Sequence, residues 1–85
     1  MRYKAMKALT FKPAALRQWV KLPSDVRDRI DARLAEFAQS GRGDVKRLQG
    51  RQSARLRVGD WRVIFHDDGK TITVVAVGHR RDIYE

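Results

Sequence analysis

The segment spanning residues 54–66 constrains the fold more than any other part of the chain. Two runs that alternate apolar with polar residues flank the dipeptide Gly59-Asp60, which is typical of a two-residue β-hairpin turn. Counting outward from this turn places Arg57 directly opposite Arg62 and gives the hairpin one apolar and one cationic face. The predicted apolar face carries Ala54, Leu56, Val58, Trp61, Val63 and Phe65. The predicted cationic face carries Arg55, Arg57, Arg62 and His66.

Like charges directly opposite each other on adjacent strands repel. Placing three guanidiniums on one small patch therefore does not stabilise a folded domain. An anionic partner would relieve the repulsion between Arg57 and Arg62, so the hairpin predicts a surface that binds anions.

The first part of the chain predicts a strand and two helices. Residues 6–11 alternate like a strand, and Pro13 suits the first position of a helix that continues to Leu22 before Pro23. Ser24 is the predicted N-cap of a second helix, which Gly41 closes. The apolar stripe of this second helix consists of Val26, Ile30, Leu34, Phe37 and Ala38.

The second part predicts strands. Residues 41–53 form a basic loop, the hairpin follows, and Asp68-Gly69 marks another tight turn. The continuously apolar run from Thr71 to Val77 is placed in the middle of the sheet. The order β-α-α-β-β-β predicts an α+β fold, a mostly antiparallel four-stranded sheet with the N-terminal helical hairpin on one face. We expect residues 1–85 to form a single domain with residues 1–5 as a loose tail.

Charge and composition narrow the function. The 85 residues contain 19 Lys and Arg against 10 Asp and Glu, a net charge of +9, and no cysteine. Such a field favours nucleic acid, an acidic protein or an anionic membrane surface as partner. No apolar run approaches the ~20 residues that span a bilayer, and the N-terminus lacks the apolar segment of a signal peptide, which predicts a cytoplasmic protein. We expect no metal and no cofactor, because no metal-ligand spacing or glycine-rich phosphate loop is present.

Two groups of residues could carry chemistry. If the last two strands pair, the C-terminal tail with Arg80 and Arg81 returns beside Arg62, and guanidiniums around a phosphodiester would stabilise its transition state. His79 and Tyr84 are the candidates for proton transfer. The alternatives are a binding surface without chemistry, a strand-end role for His79 and a core role for Tyr84. His66 is interpreted as structural or solvated.

Motifs along nearly the whole chain resemble the RelE-type toxins of bacterial toxin–antitoxin pairs. The motifs that carry the resemblance are Leu16-Arg17-Gln18-Trp19-Val20-Lys21-Leu22-Pro23, Arg47-Leu48-Gln49-Gly50, Ala54-Arg55-Leu56-Arg57-Val58, Asp60-Trp61-Arg62-Val63-Ile64-Phe65 and Val77-Gly78-His79-Arg80-Arg81-Asp82-Ile83-Tyr84. The strand motif around Trp61 and the ending after Gly78 are fairly specific in combination.

The resemblance implies a ribonuclease that enters the ribosomal A site and cuts messenger RNA without a metal, and an acidic antitoxin that holds it until proteolysis. Its implied catalytic residues are Arg55, Arg57, Arg62, Arg80 and Tyr84, and the chemistry of histidine adds His79 as a further catalytic candidate. Further RNA contacts are predicted at Lys46, Arg47, Arg51 and Arg81. Well-studied members carry lysines where this chain has Arg55 and Arg57. Since arginine cannot act as a base, His79 or Tyr84 becomes the candidate base.

Two alternatives remain at the sequence level. ParE-type toxins are similar in fold but inhibit DNA gyrase by binding it, without nuclease activity. The other alternative is an inactive homologue that only binds RNA. The arginine-plus-tyrosine set favours the ribonuclease.

Overall fold

The structure, a computed structural model, describes residues 6–48 and 52–83. The predicted tail at 1–5 and two predicted site residues, Arg51 and Tyr84, lie outside this range. The elements in chain order are β1 (Ala8–Phe11), α1 (Pro13–Val20), α2 (Ser24–Ser40), β2 (Val45–Arg47), β3 (Ser53–Val58), β4 (Trp61–Asp67) and β5 (Thr71–His79).

The strands form one mixed sheet in the order β1-β5-β4-β3-β2. β1 pairs with β5 in parallel and the other neighbours are antiparallel, so the α+β class and the mostly antiparallel sheet are confirmed. The predicted number of four strands is wrong. The fifth strand, β2, forms inside the predicted basic loop, where Val45 pairs with Leu56 and Lys46 with Arg55. Three residues with a single apolar side chain were too short a pattern to predict it.

Strand β5 lies in the interior of the sheet, between β1 and β4, and β4 is the central strand. The pairing of β4 with β5 shifts by one residue between Ile64 and Phe65. Because of this shift Val74 and Val77 are both buried although they are three residues apart. The apolar run of β5 therefore lacks strict alternation, in agreement with an interior strand.

The helices begin and end near their predicted bounds. Ser24 is not the N-cap: it is the first helical residue, and Pro23 occupies the N-cap position with an extended backbone and without a capping side-chain hydrogen bond. Gly41 does close α2, with a left-handed φ of 77° and its N–H bonded to the carbonyl of Phe37 (2.8 Å). Helix α1 ends two residues before Leu22, whose N–H bonds three residues back to Trp19.

The core lies between the helices and one face of the sheet. All five residues of the predicted α2 stripe are buried, as are the apolar side chains of β3 and β4 that face them, except for the partly buried Trp61. The rings of Phe37 and Phe65 lie 5.3 Å apart across this layer. Since the helices cover the apolar face, the polar residues of the strands project from the opposite face, which we call the open face. Within the described ranges no helix is long and apolar enough to cross a membrane.

Candidate nucleic-acid interface

The register of the β3–β4 hairpin is the one that its sequence predicts. Val58 pairs with Trp61 and Arg57 with Arg62 across the turn, where Gly59 has a φ of 59°. The core side chains of both strands are buried, whereas Arg57 is exposed and Arg62 partly so. The hairpin thus presents its guanidiniums on the open face.

The repulsion between the two facing arginines is relieved inside the fold. Arg57 donates from Nε to Oδ2 of Asp44 over 2.6 Å, and its backbone N–H bonds to the Asp44 carbonyl (2.9 Å). The anion that relieves the pair is therefore a carboxylate of the chain itself, whereas the sequence pointed to an anionic partner. Asp44 precedes β2, the strand that the sequence did not predict, and the pairing of β2 with β3 brings it to Arg57.

Arg62 is folded over the hairpin turn. Its Nη1 donates to the carbonyl oxygens of Gly59 (2.8 Å) and Trp61 (3.0 Å). Arg55, two residues before Arg57, lies between Lys46 on β2 and Ile64 on β4. Residues opposite each other in a sheet share a face, so Lys46 and Arg55 extend the cationic surface towards the β2 edge.

The C-terminal tail meets the same turn. Gly78 pairs with Arg62, and Arg80 donates its backbone N–H to the carbonyl of Asp60 (2.8 Å). The Nε of Arg80 lies 3.6 Å from the Asp60 carboxylate. The predicted approach of the tail to the hairpin is thus present, and it brings Arg80 to the end of the sheet where Arg57 and Arg62 lie.

The tail then turns back onto the open face. The N–H of Asp82 bonds to the carbonyl of His79 (2.8 Å) and closes a tight turn. Ile83 lies against Gly78, where an added Cβ would be only 3.0 Å from Ile83 Cγ1. Because Gly78 is opposite Arg62, Ile83 covers the sheet next to that arginine. Tyr84 follows directly in the sequence, outside the described residues.

His79 is not among the arginines of the open face. It pairs with Trp61, and the two rings meet edge to face with centroids 5.3 Å apart, on the side of the sheet that carries the core. Its Nδ1 accepts the backbone N–H of Arg81 (3.2 Å), so the neutral ring carries its proton on Nε2. In this arrangement His79 presents a hydrogen-bond donor, which disfavours the predicted role as a base. Arg81 itself is exposed.

Two other predicted residues are also separated from the cluster. Arg47 pairs with the buried Ala54, which places it on the opposite side of the sheet from Lys46. His66 is exposed on the open face, and its Nδ1 lies 3.2 Å from the hydroxyl of Ser53. In the described part of the chain, no group of three His, Asp or Glu side chains could hold a metal ion.

Sequence reasoning missed the two aspartates that contact the arginines. Asp44 and Asp60 are the only acidic residues between positions 42 and 62, which also hold seven Lys and Arg. The presence of two acidic residues inside a basic segment could have indicated these contacts, since their carboxylates have cationic neighbours. The arrangement as a whole can hold a phosphate between planar donors and offset the charge of its transition state.

Comparison with known proteins gives matches over most of the chain. The family described as "ParE toxin of type II toxin-antitoxin system, parDE" matches residues 9–84. The mRNA interferase toxin RelE of Escherichia coli K12 is 31% identical over 77 residues, which cover 85% of this chain and 81% of that protein.

Solved structures show the same fold. The intact E. coli RelBE toxin–antitoxin complex matches with a TM-score of 0.72 and 31% identity, over 86% of this chain and 95% of the other. The RelB–RelE antitoxin–toxin complex of Methanococcus jannaschii matches with a TM-score of 0.74 and 26% identity, over 88% and 94%.

Proposed function

We propose that this chain, which belongs to the ParE toxin family of type II toxin–antitoxin systems in the RelE/ParE superfamily, is an endoribonuclease that cleaves messenger RNA on the ribosome. The RelE-type resemblance of its hairpin and tail motifs is confirmed by these relatives. The relative with 31% identity is named an mRNA interferase, which supports RNA cleavage as the activity of this chain.

One observation carries the proposal: arginines from β3, β4 and the tail lie at the same end of the sheet. Arg57 and Arg62 are directly opposite each other, and Arg80 is bonded to the turn that joins their strands. Arginine stays charged at any working pH and donates in a planar fork that matches phosphate oxygens. A scissile phosphate between these three groups would be bound and its developing charge stabilised.

The reaction we propose is in-line attack of the ribose 2′-oxygen on the adjacent phosphorus. The bond to the 5′-oxygen of the next nucleotide breaks, leaving a 2′,3′-cyclic phosphate and a 5′-hydroxyl. The 2′-OH proton passes to Tyr84 in its phenolate form, which cationic surroundings favour, since arginine cannot accept the proton and His79 faces the other side of the sheet. Water protonates the departing 5′-oxygen. No metal or cofactor takes part.

The remaining predicted residues act in binding. Lys46 and Arg55 border the arginine cluster and would hold the flanking RNA backbone, with Arg51 and Arg81 as further contacts. Arg47 faces the other side of the sheet, where it would reach ribosomal RNA rather than the cleaved strand. The proposed site of action is the cytoplasm, where ribosomes translate.

An antitoxin partner is supported by the neighbouring structures, which are antitoxin–toxin complexes. We propose that the cognate antitoxin is acidic, because a chain of net charge +9 attracts anionic proteins as well as RNA. Covering the arginines of the open face would neutralise the charge and exclude messenger RNA at once.

Expression of the chain without an antitoxin, followed by mapping of messenger RNA ends, tests the proposal. We expect ribosome-dependent cuts in phase with codons for the wild type, and for an Arg17→Ala control on α1. Arg62→Ala and Arg80→Ala should each lower cleavage by about 10²- to 10³-fold, the loss typical of removing one donor to a transition-state oxyanion. Antitoxin binding should survive in both variants.

The second candidate is inhibition of DNA gyrase, favoured by the ParE description of the matching family. Intact transcripts together with trapped gyrase–DNA complexes would establish it in place of the ribonuclease. A third outcome, RNA binding with neither effect, would identify an inactive homologue. A product with a 5′-phosphate would contradict the 2′-OH mechanism.

A further inference from the structure

The contact between Asp44 and Arg57 suggests more than a surface ion pair. We propose that Asp44 is a positioning residue: its carboxylate holds the Nε edge of the Arg57 guanidinium and turns the two terminal nitrogens towards the phosphate of bound RNA. This inference rests on the proposed function, because it assigns Arg57 to a phosphate.

The geometry of the contact leaves the useful side of the guanidinium available. The bond joins Nε of Arg57 to Oδ2 of Asp44 over 2.6 Å, a short charge-assisted hydrogen bond. A guanidinium offers a second pair of donors, Nη1 and Nη2, that fits two phosphate oxygens. Both side chains are half-exposed, at 50% and 49%, so RNA can reach Arg57 while Asp44 stays in contact.

The backbone holds Asp44 in place. Its carbonyl accepts the Arg57 backbone N–H (2.9 Å), and the next residue, Val45, pairs with Leu56 in the sheet. The N–H of Val45 also bonds to the carbonyl of Gly43 (3.0 Å), which makes a tight turn around Asp44. The carboxylate is therefore attached to the same strand pair as the arginine that it orients.

An orienting role explains why an acid is kept beside a phosphate site. Exposed ion pairs contribute little to stability, and a carboxylate repels RNA. Without the carboxylate, however, Arg57 would be repelled by Arg62 directly opposite and would turn away from it. The carboxylate thus weakens the attraction of RNA while fixing the guanidinium in the orientation that the reaction needs.

A weaker instance of the same arrangement occurs at the tail. Arg80 places its Nε 3.6 Å from Oδ1 of Asp60, and both side chains are exposed. In each case the carboxylate approaches the Nε side of an arginine at the hairpin end of the open face. Asp44 makes the shorter contact and gives the sharper test.

The test compares Asp44→Asn with Asp44→Glu and with Asp25→Asn. Asp25 is a matched control, since it is an exposed aspartate that pairs with Arg29 (3.9 Å) away from the open face, and its loss changes the net charge equally.

Cleavage of messenger RNA on programmed ribosomes gives kcat and KM separately. We expect Asp44→Asn to lower kcat about 10- to 100-fold, as misplaced groups do, with KM equal to or below that of the control. Asp44→Glu should restore most of kcat.

A kcat for Asp44→Asn equal to that of Asp25→Asn would overturn the inference. So would a higher kcat, which would mean that the carboxylate competes with RNA. Failure of the wild type to cleave would instead contradict the proposed function.

A measurement on the free protein separates the two failures. The Nε–H of Arg57 should give a distinct signal in nitrogen–proton NMR spectra of the wild type and Asp44→Glu, and that signal should move to the position of solvated arginines in Asp44→Asn. An unmoved signal would show that Asp44 does not orient Arg57, whatever the activity of the chain.

Discussion

At the residue scale, the pair Arg57 and Arg62 shows which contacts can be predicted from the sequence and which cannot. Turn chemistry and alternation are local, so the sequence predicts that the two face each other, and they do. What relieves their repulsion is not local. Asp44 lies 13 positions before Arg57 and reaches it only through β2. A partner brought by an unpredicted strand could not be inferred from spacing.

Asp67 makes stability depend on pH. Its buried side chain accepts hydrogen bonds from Nζ of Lys7 (2.8 Å) and the backbone N–H of Gly69 (2.9 Å). Burial raises the pKa of this carboxyl, but the bonds from Lys7 and Gly69 outweigh it and leave the pKa below its ordinary value of 3.8. The stabilisation is therefore present above that value, and it is lost as pH falls through the lowered folded-state pKa.

We expect Asp67→Asn to destabilise the fold at pH 7 by about 1–3 kcal/mol, because Lys7 loses its partner. The difference in unfolding free energy between wild type and variant should shrink as pH falls below the ordinary value of 3.8. Urea unfolding between pH 7 and pH 2.5 measures it, with Asp25→Asn as the control that keeps the wild-type pH dependence. A difference that stays constant over this range would contradict the assignment.

At the element scale, strands with an apolar pattern of their own were predicted, and the short strand β2, which is fixed by its pairing with β3, was not. The β3–β4 hairpin has both its turn and its alternation in one segment. β2 is three residues long and its place is set by Leu56 and Arg55 on another strand. The predicted N-cap of α2 is wrong for another local reason. Ser24 and Pro23 are both suited to a helix start, and the helix begins one residue earlier than predicted, at Ser24.

The tail element gives a prediction at Gly78. A Cβ there would lie 3.0 Å from Cγ1 and 3.2 Å from Cδ1 of Ile83, so one of the two must move. Ile83 is only partly buried and meets the added Cβ with side-chain atoms that can shift, hence Gly78→Ala should cost little stability. It should nevertheless lower cleavage about tenfold or more, because it displaces Ile83, which covers the sheet next to Arg62 and directly precedes the proposed base Tyr84 in the sequence.

Thermal unfolding and cleavage, measured together on Gly78→Ala, decide the point. Gly69→Ala serves as the comparison: no atom lies within 4 Å of its added Cβ, but its φ of 92° strains alanine, so we expect lower stability with cleavage preserved per folded molecule. Unchanged cleavage in Gly78→Ala would show that the position of Ile83 is not needed.

At the scale of the whole molecule, the sheet divides the chain into a side for folding and a side for binding. The helices bury the apolar residues of β3 and β4 on one side, and the arginines follow by alternation on the other. The sequence could predict this division, but not that His79 falls on the core side. In the sequence, His79 directly precedes Arg80. Its pairing with Trp61 is what shows that its side chain lies on the core side of the sheet.

This division predicts which charges govern RNA binding. The affinity for single-stranded nucleic acid falls with salt, and the logarithmic slope changes by about 0.7 for each phosphate contact. Lys46, Arg57 and Arg80 are exposed at or beside the open face, so neutralising any one should flatten the slope by about that amount. Arg17 lies on α1, which packs on the other side, and Arg17→Gln should leave the slope unchanged.

Fluorescence anisotropy with a short labelled RNA between 50 and 300 mM salt, on the order of the range where such slopes are resolved, measures these changes. The chain carries +9 overall, so a diffuse field would make all four neutralised variants alike. Equal slopes for Arg17→Gln and Arg57→Gln would show that RNA responds to total charge and not to the open face. A flatter salt slope confined to the variants at Lys46, Arg57 and Arg80 would locate the RNA on the face that carries the proposed site, whether or not the bound RNA is cleaved.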